Sequence, residues 1–519
     1  MDLRTPARLL DRVGIAWRML LGRSDWASSL AGSGSSTYGF AGAAVGRLQS
    51  SLANWSGSIN ADLDGALPIL RARARQLAAN NEHGKRFLSL CAINIVGRQN
   101  PKLQVRALRD ARNPDRPTTL DKAANDAIEQ HWERWGKSAD VTGRHRSIYA
   151  VLRTIVRAVA RDGEAIVRII RNRSLPYGIG LQLLESDRLD DTLNMRLQNG
   201  NTIRQGVEID SLGRPVAYHV KTSHPGESFA MAAGVVERIP AADLCHIYLP
   251  DRAEQVRGVT WMHAVILRGS TIHRFEEAAV TAAQIGASKI AAIERSEDSL
   301  DASSMMFDGR SSSGIGQINV EAGEMFELPP GYRLNSWNPE YPHANFDPFL
   351  KACLRGLAAG LDVAAHNLTG DMTDVNYSSA RIAELSEREA WMILQDWLIG
   401  SFVQPIYEEW LAMALLMGQI TFPQSGSVLP ADRLQKFVLA SSFRGRRWQW
   451  VDPLKDGQAN QVLLAARLTS RTRITAEQGV EFDDLVDELA DEQQQLEDAG
   501  LAASPEPAAP AVAADQPPP

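Results

Sequence analysis

At 519 residues the chain is longer than one hydrophobic core usually supports, so several domains, or one elongated protomer of several layers, are expected. With 44% hydrophobic and 23% charged residues it has enough apolar material to bury a core, which excludes a wholly disordered chain. The net charge of −7 hides an asymmetry, because Ile474 to Pro519 holds twelve Asp and Glu and no Lys or Arg; the small positive balance left before it excludes the broad basic face of a protein that grips nucleic acid.

The N-terminal stretch MDLRTPARLLDRVGIAWRMLLGRSD has arginines in every apolar run, so it lacks the continuous apolar segment of a signal peptide. No later run reaches the roughly 18 uncharged apolar residues of a membrane span, and a soluble cytoplasmic chain with no membrane partner is expected. The three cysteines, Cys91, Cys245 and Cys353, are far apart and lack CxxC spacing, which suits buried, inert thiols in a reducing compartment and argues against a zinc site.

Residues 27–47 are rich in Gly, Ser and Ala and read as a flexible arm. Helical spacing follows in ALPILRARARQLAANNEHGKRFLSLCAINIVG and in TLDKAANDAIEQHWERW. The segment from Arg146 to Ile170 is predicted as one helix that sets Arg153, Arg157 and Arg161 on a single stripe. That stripe suits either a solvated face or a face toward an anionic partner. From about Tyr177 to Tyr248 the texture changes to alternating strands and turns, with DSLGRP as a hairpin signal.

Helical spacing returns from Thr260 to Gln284, a rod of about 37 Å if continuous, so a β-rich insert is expected between two long helices. Residues 296–348 are looser, with short strand-like pieces, and lead into the helix FDPFLKACLRGLAAGL. After the polar stretch LTGDMTDVNY, helical spacing runs from Ser378 to Met417 with Gly400 and Pro405 inside it. An interior proline lacks the N–H of a helical hydrogen bond and clashes with the preceding turn, so a kink is predicted there. An acidic helical segment and a Pro/Ala tail, expected to be disordered, end the chain.

Catalytic motifs are missing. The nearest approach to a phosphate loop, HWERWGKS from His131 to Ser138, has His where a P-loop requires Gly, and its neighbours read as helix. Asp371, Asp374 and Asn376 lack the register and closing Glu of a calcium loop and suit turn and cap roles, with Ser378 or Ser379 capping the next helix. No HExxH and no GxSxG is present. No catalytic residue, metal or cofactor is therefore assigned. Gly356 to Ala380 contains no Lys or Arg, so if this segment meets nucleic acid it is expected to do so without phosphate ion pairs, weakly and without regard to sequence.

Several blocks in order, SINADLDGALPILRARARQLAANNEHGKRFLSLCAINIVG, LESDRLD, GVEIDSLGRPVAYHV, SWNPEYPHANFDPFLKACLRGLAAGL, LTGDMTDVNYSSAR and GRRWQWVDPLKD, resemble the lambda-type portal proteins of tailed bacteriophages. The resemblance covers about residues 45 to 480, and NYSSAR with the preceding LTGD is its most specific part. It implies a ring of about twelve subunits at one capsid vertex, through which double-stranded DNA is packaged, retained and ejected. It also implies contacts with the terminase large subunit, the major capsid protein and head-tail connector proteins, and residence in the virion after assembly in the host cytoplasm.

The fold so implied is α+β and mainly helical, a protomer with wing, two-helix stem, β-rich clip, kinked long helix and C-terminal helical crown. Mapped on this chain, 1–46 is an arm, 47–145 and 287–365 the wing, 146–171 and 257–286 the stem helices and 172–256 the clip. Residues 366–377 are the tunnel loop, 378–452 the kinked long helix and following segment, 453–500 the crown and 501–519 a tail. The loop carries His366, Asn367, Thr369, Gly370, Asp371, Thr373, Asp374 and Asn376 into the narrowest part of the channel, with Gly370 allowing the turn. The arginine stripe then faces DNA or, preferably, a neighbouring subunit. The chain departs from the family pattern at Asp362, Ala365 and His366. Two other functions compete, a packaging ATPase of the terminase kind, which the missing P-loop Gly disfavours, and a head-completion or scaffold protein without a channel.

Overall fold

A computed structural model describes residues 57–99, 101–109, 119–227, 235–287, 291–295, 332–336, 346–373, 376–422, 425–448, 453–480 and 482–499. The chain divides into two units, Met1–Ala61 and Asp62–Pro519. Of the first only residues 57–61 are described, and the following concerns the second. The arm 1–46 and the tail 501–519 lie outside the described residues.

Helix α1 (Ala66–Asn80) meets α2 (Glu82–Cys91) at Asn81. The Asn81 side chain accepts from the N–H groups of His83 and Gly84, both at 3.1 Å, which satisfies donors that have no partner inside a helix. A π turn (Ala92–Val96) continues α2. Strand β1 (Lys102–Val105) pairs antiparallel with β12 (Ser441–Arg444), far off in sequence. Helix α3 (Lys122–Gly136) follows, then α4 (Ile148–Asp162), which Ser147 caps. Val151, Leu152, Ile155, Val156 and Val159 of α4 are fully buried, the helical period expected of a core-facing stripe.

Helix α4 is shorter than predicted. It stops at Gly163, whose φ of +95° suits a residue without Cβ. Residues 164–171, expected as its last turns, are instead strand β2 (Glu164–Arg171), the centre of a three-stranded antiparallel sheet with β3 (Ile179–Leu184) and β9 (Leu244–Tyr248). The run EAIVRII is β-branched and buried on both faces, so helical and strand periods both fit it, and a sheet position decided. A Cβ on Gly163 would stand 2.6 Å from the carbonyl oxygen of Gly258, so the break also lets two backbone segments touch.

The strands and turns read between Tyr177 and Tyr248 are present. Beyond β3 the chain forms a meander of five strands, β4 (Met195–Arg196), β5 (Thr202–Arg204), β6 (Val207–Ile209), β7 (Pro215–Lys221) and β8 (Val236–Pro240), before β9. The meander has its own small core of Leu189, Val207, Tyr218, Val220 and Ile239.

Residues 257–265 are turns rather than helix, and α5 runs from Ile266 to Ala287. A strand pair, β10 (Ala291–Arg295) and β11 (Tyr332–Ser336), comes next, then α6 (Phe346–Gly360), α7 (Ala365–Thr369) and α8 (Tyr377–Leu398). A π turn (Ile399–Val403) joins α8 to α9 (Gln404–Leu416). Gly400 and Pro405 mark this irregularity: Pro405 has no N–H to give, and the wider turn lets Gln404 donate to the Ile399 carbonyl instead. A short α10 (Leu434–Leu439) leads to β12, and α11 (Pro453–Ala465), α12 (Arg471–Glu477) and α13 (Phe482–Asp498) close the described chain. The architecture is α+β with most elements helical.

The main core is aromatic at its centre. Trp410 and Tyr407 of α9 meet Trp132 and Trp135 of α3, with ring centroids 5.2 Å apart for Trp132 and Trp410. His131 lies here too. Its Nε2 accepts from the N–H of Thr421 at 3.3 Å, so Nδ1 carries the proton and donates to the Tyr177 hydroxyl at 2.8 Å. The segment resembling a phosphate loop is thus the end of a core helix, with Gly136 against Ile148, and offers no cradle of backbone N–H groups. The acidic helix α13 sits near basic residues, with Asp483 3.7 Å from Arg106 and Asp487 paired with Lys122. No helix among the described residues is long and apolar enough to cross a membrane.

Candidate functional site

The described start of the segment singled out by sequence, His366 to Thr373, sits between α6, α2 and α8. Its first part is not a loop: Ala365–Thr369 is helix α7, ended by Gly370 at φ +76°. A Cβ on Gly370 would meet nothing within 4 Å among the described residues, so it is the backbone conformation there that calls for glycine. Gly370→Ala is expected to cost about 1 kcal/mol locally, read as faster amide exchange around residues 368–373 with an unchanged melting temperature for the whole chain.

Two sets of contacts hold the segment. At its base, Glu387 of α8 accepts from Asn367 Nδ2 at 2.7 Å, from the Ala364 N–H at 3.1 Å and, through its other oxygen, from Trp391 Nε1 at 3.1 Å. Arg86 of α2 donates to the Asn367 carbonyl at 3.1 Å. The Thr369 hydroxyl donates to the Ala365 carbonyl at 2.8 Å and accepts from the Asp371 N–H at 3.1 Å. At its outer end Asp371 accepts from the Thr373 N–H at 2.9 Å and its hydroxyl at 2.6 Å. These bonds hold the Asp371 carboxyl below its ordinary value, with Lys351 adding to the effect.

Lys351 of α6 faces this outer end. Its Nζ is 3.1 Å from Asp347, 3.7 Å from Asp371 and 3.3 Å from the Thr373 hydroxyl. A cavity of about 150 Å³ is lined by Lys351, Arg355, His366, Thr369 and Asp371. The segment lacks cations of its own, but tertiary structure brings Lys351, Arg355 and Arg86 to it.

Of the other predicted positions, Asn376 is exposed and Asp374 lies outside the described residues. Helix α8 begins at Tyr377, so Asn376 occupies the position before it and Ser378 and Ser379 fall in its first turn, not at the cap expected of them. The side chains of the two serines lie outside the described residues. The arginine stripe of α4 is not held in common: Arg153 donates to the carbonyls of Gly97 and Arg98 at 2.9 and 3.1 Å, Arg161 pairs with Asp162 at 2.7 Å, and Arg157 is exposed.

Glu387 and Lys351 escaped the sequence reading. The signal for Glu387 was present, since an acid four residues before Trp391 and eight before Gln395 stands on the buried face of α8. Lys351 carried no such signal.

Elsewhere among the described residues Glu185, Asp187 and His224 converge with metal-like spacing. His224 Nδ1 accepts from the Gly226 N–H at 3.0 Å, which leaves the proton on Nε2, 3.1 Å from Glu185. Asp187 is taken by Arg75. His224 Nε2 makes no hydrogen bond among the described residues, and with the proton on it the imidazole has no lone pair left for an ion.

The sequence matches the family described as "Phage portal protein, lambda family" over residues 45–395. It is 32% identical over 463 residues to the "Probable portal protein" of Halomonas phage phiHAP-1, covering 86% of this chain and 85% of that protein. Against "Portal protein B" of Escherichia phage lambda it is 23% identical over 473 residues, covering 83% and 84%. Among solved structures, "Neck of native GTA particle computed with C12 symmetry" resembles it with a TM-score of 0.42 and 15% identity over 78% of this chain and 93% of that one, a likeness that decides nothing about assembly.

Proposed function

Since this chain belongs to the lambda family of phage portal proteins, we propose that it forms a closed ring of about twelve subunits at a capsid vertex, the channel through which double-stranded DNA enters and leaves. The observation that carries this is the family match across residues 45–395, joined to a relative named a portal protein that aligns over 86% of the chain. The protein has a structural and translocating role without catalysis of its own. A terminase supplies the work of packaging, and the ring meets the terminase large subunit, the major capsid protein and head-tail connector proteins. It resides in the virion and assembles in the host cytoplasm.

Within this reading the segment from Gly370 to Asn376 lines the narrowest part of the channel. Stem and clip fit α5, the β10–β11 pair and α6 better than the interval 146–286, because α4 buries its apolar stripe in the core and ends at Asp162. Helices α11 to α13 form the crown, where Glu488, Asp491 and Glu492 are exposed and give a negative rim that does not hold DNA.

Native mass spectrometry of the purified protein with negative-stain images, at near-physiological salt, tests the proposal. A closed ring of about twelve copies with a central hole is expected. A monomer or dimer that persists across salt and protein concentration would remove the channel.

A further inference from the structure

The two sets of contacts around the segment differ in kind. The base is held by Glu387, which is 8% exposed and accepts from a side-chain amide, a backbone N–H and an indole N–H. Buried, multiply bonded carboxylates hold their partners firmly. The outer end is held by Lys351, whose side chain is 27% exposed and whose partner Asp371 is 37% exposed. Partly exposed ion pairs at 3.7 Å are weak and screened by salt. Nothing in the sequence from Gly356 to Ala380 supplies a competing cation, so the acid at the outer end depends on a helix that precedes it in the chain.

We propose that Lys351 is a positioning residue that seats the outer end of the segment, residues Asp371–Thr373, against α6 through Asp371 and Thr373, while Glu387 fixes its base. The firm base keeps the segment in register with α8. The weak outer contact lets Asp371–Thr373 leave α6 when something passes and return afterwards. Asp347, one turn before Lys351 on α6 and 3.1 Å from its Nζ, keeps the ammonium aimed at the segment and takes its charge when Asp371 departs, so release does not strand a bare cation. This deepens the channel reading and rests on it only for what passes.

The test is amide exchange on the full-length assembled protein, followed in a peptide that contains residues 370–376 and, as internal control, in one from α2. Lys351→Gln is expected to speed exchange in the first peptide about threefold to tenfold and leave the second unchanged, and Lys351→Arg is expected to restore most of the protection. Exchange in residues 370–376 that is the same in Lys351→Gln as in the unmodified protein overturns the proposal. If Lys351→Gln fails to fold, the unmodified protein is measured from low to high sodium chloride. Exchange that rises with salt in the first peptide alone supports the proposal, and exchange indifferent to salt overturns it. DNA content of particles assembled with Lys351→Gln separates the two readings. A looser segment with full DNA content leaves the positioning role standing and removes the segment from the channel constriction.

Discussion

Replacing Glu164 by Gln is expected to destabilise the protein by about 3–5 kcal/mol, because it leaves two guanidinium groups buried without a counter-charge. Glu164 is fully buried at the start of β2. Its oxygens lie 2.6 Å from Arg71 Nη2 and 2.5 Å from Arg257 Nη2, and they accept from the Gly258 N–H at 3.0 Å, with His246 Nε2 at 2.9 Å. Arg257, also fully buried, continues to the Gln205 carbonyl at 2.6 Å. One carboxylate therefore ties α1, the three-stranded sheet, the turn before α5 and the meander.

Burial alone would raise the Glu164 pKa, but Arg257, Arg71 and His246 outweigh it and hold the carboxyl well below its ordinary 4.5. The folded state then binds this proton later than the unfolded chain does. The stabilisation is complete above the unfolded value and is lost as pH falls below it toward the folded one. Denaturant midpoints from pH 7 down to pH 3 check both parts: Glu164→Gln should start lower at pH 7 and fall less steeply in acid. A midpoint at pH 7 within about 1 kcal/mol of the unmodified protein would mean the guanidinium groups find other partners or water.

Trp410→Ala is expected to cost a similar amount, about 3–5 kcal/mol, for a different reason. Trp410 is fully buried and its ring lies within 5.2 to 6.1 Å, centroid to centroid, of Trp132, Tyr177, Tyr407 and Trp135. Removing it opens a cavity among large rings that cannot all shift inward. Among the described residues the indole N–H has no hydrogen-bond partner, so Trp410→Phe keeps most of the contact area, gives up no bond seen there, and is expected to recover the larger share of the loss. The comparison of the two variants by denaturant midpoint is the check. If Phe is as damaging as Ala, the cluster depends on shape more than on buried area. The consequence reaches the candidate site, since α9 carries Trp410 and is joined through the π turn to α8, which holds the segment by Glu387.

Much of this protein follows from its sequence. The apolar spacing of 148–160 gave α4, the alternation between Tyr177 and Tyr248 gave strands, and Pro405 required an irregular helix. A polar stretch with Gly370 turned where a glycine was needed, because φ +76° is a backbone demand that depends on no distant partner. The family, too, was legible from ordered blocks of residues.

Tertiary structure decided the rest. EAIVRII became a strand because β3 and β9 were there to pair with it, and Gly163 ended the helix where Gly258 had to approach. Thr369 and the residues before it became helix against α2 and α8, where the sequence suggested loop. Above all, the charges that act on the candidate site come from elsewhere in the chain, Lys351 from α6, Arg86 from α2 and Glu387 from α8. Electrostatic attraction depends on distance in space, and a local pattern of residues records only distance along the chain.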